Sequence, residues 1–134
     1  MPSQIKYVKT KMERISVAVK SKFIGKQDQG NKEQVFVFSY TVSITNNSEQ
    51  DMTLKSRYWL ITNGDGEKVE VQGEGVVGEQ PTIKPKDTFS YSSASMLKTK
   101  VGTMEGFYDF SLPDNSEYRA TIPVFSLAVP NSLH

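Results

Sequence analysis

Apolar and polar residues alternate with a period of two through most of the chain, the pattern of strands that bury one face. In RISVAVKSKF, Ile15, Val17 and Val19 alternate with Ser16, Ala18 and Lys20. QVFVFSYTVSIT repeats the pattern more strongly, with Phe36, Phe38, Tyr40, Val42 and Ile44 on one face, and reads as the central core strand. In MTLKSRYWLIT, Met52, Leu54, Tyr58 and Leu60 fall on one side and Lys55, Arg57, Trp59 and Ile61 on the other, so both faces carry bulk. Phe89 and Tyr91 alternate with serines in TFSYSSA, GTMEGFYDFSL forms a further strand, and EYRATIPVFSLAVP alternates at Tyr118, Ala120 and Ile122.

Turn chemistry separates these segments. Asn63-Gly64-Asp65-Gly66 predicts a hairpin, because glycine and the asparagine and aspartate side chains tolerate positive φ. NNSEQD and PDNS mark two more turns, and Pro81 and Pro85 punctuate an extended stretch. Pro123, which has no N–H for a ladder, belongs on an edge or at a bulge. No window combines helical spacing of apolar residues with a cap at each end. The expectation is an all-β fold, an antiparallel β-sandwich of seven to eight strands with little or no helix. The 134 residues read as a single domain spanning 1–134, with 1–10 the least ordered part, and the length suffices for a core without staples.

Charge narrows the partners. Sixteen Lys plus Arg nearly cancel fifteen Asp plus Glu, and the basic residues of IKYVKTKMER are spaced singly, so neither nucleic acid nor a membrane surface is an expected partner. With no cysteine the chain suits a reducing compartment, and a cytoplasmic location is expected. The single histidine, His134 at the very end, reads as the remnant of a purification tag. Thiol nucleophiles, histidine triads and the usual zinc sites therefore lack their residues, and no catalytic residue, metal or cofactor is expected. Asp65, Glu67, Glu70, Glu74 and Glu79 read as acidic decoration of a solvated hairpin rather than as a cation site.

GEGVVG, residues 73–78, spells the G-x-G-x-x-G of dinucleotide sites. That fingerprint works by turning a strand into a helix whose N-terminus faces the pyrophosphate. Here Glu79, Gln80 and Pro81 follow instead, and Glu74 and Glu79 repel phosphate. The glycines read as serving a bulged or bent connection, although consecutive amides in such a loop can also form a small anion-binding concavity. Trp59 is expected in the core; if exposed, Arg57 and Trp59 would make a partner hot spot.

SRYWLITNGDGEKVEVQGEGVVGEQPTIKPKDTFSYSS closely resembles the ApaG family, as does GTMEGFYDF followed by IPVFSLAVP. The resemblance covers nearly the whole chain, with the WLIT, GEGVVGEQP, TMEG and IPVFSL elements in the family's order and spacing. It implies a sandwich of the fibronectin type III or immunoglobulin-like kind and no established enzyme activity. It also implies an association with cobalt and magnesium tolerance and, from larger eukaryotic relatives, an interaction module. Two positions depart from the family pattern: Tyr58 stands where histidine is frequent, and Lys86 where glycine is usual.

Together these readings predict a non-catalytic binding module for an unidentified protein partner. Its expected surface is the loop Gly73, Glu74, Gly75, Gly78, Glu79, Gln80 and Pro81 with Arg57 and Trp59. The alternative is weak binding of a nucleotide or dinucleoside polyphosphate, with or without a divalent cation. The apolar tail VFSLAVPNSLH reads as a last strand whose free edge allows either a monomer or an edge-strand homodimer.

Overall fold

The computed structural model describes residues 5–9, 13–28, 30 and 33–132; His134 lies outside them, as do residues 1–4 and 10 of the first ten. Nine strands appear in chain order: β1 (Lys6–Lys9), β2 (Ile15–Asp28), β3 (Gln34–Asn46), β4 (Met52–Asn63), β5 (Lys68–Glu74), β6 (Thr82–Ile83), β7 (Thr88–Leu97), β8 (Val101–Ser111) and β9 (Glu117–Ala128). There is no helix among the described residues. The two short strands β1 and β6 take the number above the seven to eight that alternation alone predicts, since four and two residues are too few to show a period.

Two antiparallel sheets form a sandwich. One has the order β1-β2-β3-β7; the other runs β5-β4-β8-β9, with β6 paired to the far end of β4. The core lies between them, where Phe38, Val42 and Ile44 of β3 meet Met104, Tyr108 and Phe110 of β8. Turn residues behave as their chemistry dictates. At the β4–β5 hairpin the Asn63 side-chain oxygen accepts from the amides of Asp65 and Glu67, and Gly66 takes φ 83. Lys86, at the position where the similar family usually has glycine, adopts φ 69 and donates its ammonium to Asn47 O at 2.8 Å.

Of three bulges among the described residues, one leaves Ile24 of β2 unopposed, and those in β4 and β9 decide which aromatic residues face the core. Opposite β8, Leu54 pairs with Phe110 and Ser56 with Asp109, leaving Lys55 unopposed. An unopposed residue reverses the alternation beyond it. Met52 and Leu54 are buried before the bulge, and Trp59 after it. Tyr58 and Leu60, which strict alternation groups with Met52 and Leu54, therefore turn to the outer face. In β9, Ile122 pairs with Gly106 and Phe125 with Met104, so Pro123 and Val124 together oppose Glu105. Proline sits in that bulge, on an edge strand, and the buried set passes from Ala120 and Ile122 to Phe125 and Leu127.

Candidate functional site

The glycine loop interrupts one edge of β4. Ser56 pairs with Glu74 of β5 and Thr53 with Thr82 of β6, so both strands line the same edge and residues 75–81 loop out between them. The loop is pinned at its base: Gly75 N donates to Lys55 O, Leu54 N to Pro81 O, and Gln80 Nε2 to Lys55 O, all at 2.8–2.9 Å. Val76 and Glu79 exchange backbone hydrogen bonds across a two-residue turn with φ 42 at Val77 and φ 82 at Gly78. Val76 is fully buried and plugs the loop into the core.

Close approach to backbone requires glycine at position 75 of this loop, whereas at Gly73 the neighbour is the movable end of a side chain. A Cβ on Gly75, which has φ 61, would collide with the Glu79 carbonyl, and one on Gly73 would lie 2.8 Å from Arg57 Nη1. Arg57 thus lies against Gly73 and donates from Nη1 to Glu74 O and Gly75 O at 3.1 and 3.0 Å. The amides of Gly75, Val76 and Glu79 are engaged within the fold, so the fingerprint acts as a bent connection and not as a helix-capped phosphate cradle.

The expected site residues separate into two groups. Gly73, Glu74, Gly75, Gly78, Glu79, Gln80, Pro81 and the half-buried Arg57 come together at this loop. Trp59 does not join them as an exposed anchor: it is 3% exposed and packs edge-on against Tyr40, Tyr108 and Phe125. The Lys55 bulge sends it inward.

The same bulge builds a surface that alternation along one strand does not show. Cross-strand register sets Gln72, Tyr58, Phe107 and Thr121 in one row on the outer face, and Glu74, Ser56, Asp109 and Arg119 in the next. Tyr58 stacks on Phe107 with centroids 4.9 Å apart and planes 19° from parallel. Arg119 covers that ring too, its guanidinium carbon 3.7 Å from the centroid, while Nε and Nη2 donate to both oxygens of Asp109 at 2.8 and 3.2 Å. Those bonds to Asp109 raise the Arg119 pKa. The Tyr58 hydroxyl donates to Glu70 Oε2 at 2.9 Å, a bond that favours the protonated phenol and raises its pKa. This aromatic and charged row opens into a groove of about 520 Å³ that also touches Gly73, Glu74 and Arg57. Of its outer residues the sequence reading singles out Glu74, as part of the glycine loop, and Tyr58, as a departure from a family pattern. The only sequence signal for Phe107 and Arg119 was their alternation on separate strands.

Among the described residues no three His, Cys, Asp or Glu side chains converge on a point that would hold a metal ion, and no helix is long and apolar enough to cross a membrane. Residues 26–112 match the sequence profile of the ApaG domain. The chain is 48% identical over 121 residues to Protein ApaG of Enterobacter sp. (strain 638), covering 90% of this chain and 96% of that protein. It is likewise 48% identical over 120 residues to Protein ApaG of Shewanella piezotolerans, covering 90% and 94%. In three dimensions it is similar to the putative ApaA protein from Bordetella pertussis, with a TM-score of 0.80 and 36% identity over 88% of this chain and 95% of that one. An X-ray structure of a Northeast Structural Genomics Consortium target matches with a TM-score of 0.86 and 40% identity over 90% and 91% of the two chains.

Proposed function

The chain belongs to the ApaG domain family, and from that premise we propose that it is a non-catalytic binding module that meets a protein partner at the groove between the glycine loop and the outer face of β4 and β8. The observation that carries this reading is the Tyr58–Phe107–Arg119 stack on the outer face, an exposed guanidinium over two half-buried rings. Tyrosine, phenylalanine and arginine dominate the energetics of protein interfaces, and a stack already held in place loses little entropy on binding. Among the described residues the hydroxyl–carboxylate pair at this groove is Tyr58 with Glu70, and that bond raises the phenol's pKa, which keeps it protonated rather than nucleophilic. A reducing, cytoplasmic setting fits a chain without cysteine. Any connection with cobalt and magnesium tolerance would then run through the partner.

A nucleotide or dinucleoside polyphosphate is the second reading, favoured by Arg57. Its guanidinium has no carboxylate partner among the described residues and lies at the groove. The exposed Glu74 and Glu79 weigh against it.

Affinity capture with the wild type and with Phe107→Ala and Arg119→Ala tests the first reading. A stoichiometric protein retained by wild type and lost from both variants, with unchanged thermal melts, supports it. Equal retention by all three overturns the groove. Amide shifts that saturate with ATP or a dinucleoside polyphosphate at residues 73–80, without protein capture, turn the assignment to the second reading.

A further inference from the structure

The four outer edges of the sandwich are not equally protected. β1 is four residues long and carries Lys6; β5 carries Lys68, Glu70 and Glu74; β9 carries Glu117, Arg119 and the Pro123 bulge. Short length, charge, proline and bulges are the devices that keep an edge from pairing with another chain. β7 has none of them. Its ten residues, TFSYSSASML, contain no charge and no proline, and its pairing with β3 runs from Thr45–Thr88 to Phe36–Leu97 without a register shift. Among the described residues no strand pairs with its outward edge.

We propose that β7 is a self-association edge, pairing antiparallel with β7 of a second copy to join the two four-stranded sheets into one of eight. Three features favour a second copy of this chain. First, charge is complementary end to end. Exposed Asp87 precedes the strand, exposed Lys98 and Lys100 follow it, and none of the three has an ion-pair partner among the described residues. Antiparallel pairing sets Asp87 of each copy beside the lysines of the other. Second, faces match only if the two-fold axis falls on a residue and not between two, because a one-residue slip puts outer side chains against inner ones. An axis on Ser93 satisfies this and places Phe89 of one copy opposite Leu97 of the other, an apolar cross-strand pair. Third, Leu97 borders a crevice of about 320 Å³ at that end of β7, flanked by Val69 and Met96, which are 58% and 57% exposed. The incoming Phe89 end of the strand would cover it. The joined sheet would end in β1 on both sides, the short lysine-bearing strand.

Light scattering across a concentration series, with amide hydrogen exchange at low and high protein concentration, tests the proposal. The expected result is a monomer–dimer equilibrium in which β7 amides gain protection with concentration. Ser92→Lys, on the exposed face, and Asp87→Lys should each weaken the dimer at least tenfold with unchanged thermal melts. Adding Lys98→Asp and Lys100→Asp to Asp87→Lys should restore it, an effect loss of folding would not produce. A monomer at millimolar concentration overturns the proposal, as does a dimer that both single variants leave intact.

Discussion

The hydroxyls of Tyr91 and Tyr108, one from each sheet, hydrogen-bond to each other inside the sandwich. Both residues are buried, at 8% and 0% exposure, so each hydroxyl depends on the other. Tyr108→Phe strands the Tyr91 hydroxyl and is expected to cost about 1–3 kcal/mol. The double replacement by phenylalanine removes both polar atoms and is expected to cost less than the two single losses combined. Urea denaturation of the four proteins checks this; additive losses would show two uncoupled sites.

Burial raises the pKa of Tyr40, Tyr91 and Tyr108, the last well above the ordinary tyrosine value. A group whose folded pKa exceeds its unfolded one contributes its full stability below the unfolded value, about 10 for tyrosine, and loses it as pH rises through the folded value. These phenols therefore leave stability unchanged up to about pH 10 and lower it above. Parallel titrations of phenolate absorbance and circular dichroism should show the buried tyrosines ionising only as the chain unfolds. Full ionisation with the fold intact would contradict this.

Val77 is β-branched, exposed and held at φ 42 in the loop turn, just before Gly78. Left-handed backbone costs an ordinary residue about 1–2 kcal/mol, and Asn-Gly is the favoured pair for a turn of this kind. Val77→Asn should therefore stabilise the protein by roughly 1 kcal/mol. Gly75→Ala combines φ 61 with a collision against Glu79 O and should destabilise by roughly 3 kcal/mol or more. Thermal melts order the two variants; equal effects would show that the loop relaxes freely. Gly75 is accordingly a poor position for probing a ligand.

Asn46, fully buried, donates its amide to Gln50 O at 2.7 Å and Ile83 O at 2.8 Å, while its side-chain oxygen accepts from Ser48 N and Oγ. Asn46→Asp turns two attractive contacts into a carboxylate facing two carbonyls, and the expected loss is about 3 kcal/mol or more, exceeding that of Asn46→Ala. Comparing the two at neutral and acidic pH checks the cause. Protonating the aspartate should recover part of its deficit, and a pH-independent gap would assign the loss to shape.

Local rules carry far in this chain. The period of two marks β2, β3, β4, β7, β8 and β9, glycine and asparagine mark the hairpin, and the residues after Gly78 exclude a helix-capped phosphate site, because each of these depends on neighbours within a few positions. Burial beyond a bulge does not. Whether Trp59 or Tyr58 faces the core depends on Lys55 being left unopposed, and that is a property of how β4 registers on β8. Likewise Phe107, Arg119 and Tyr58 become one surface only because three strands align their rows. The protection of each edge also emerges only from strand order, since a charge-free serine strand is unremarkable until nothing covers its side. Backbone chemistry acts over a few residues and can be read along the chain; register and neighbour order arise from contacts between distant segments, and those require the folded sheets.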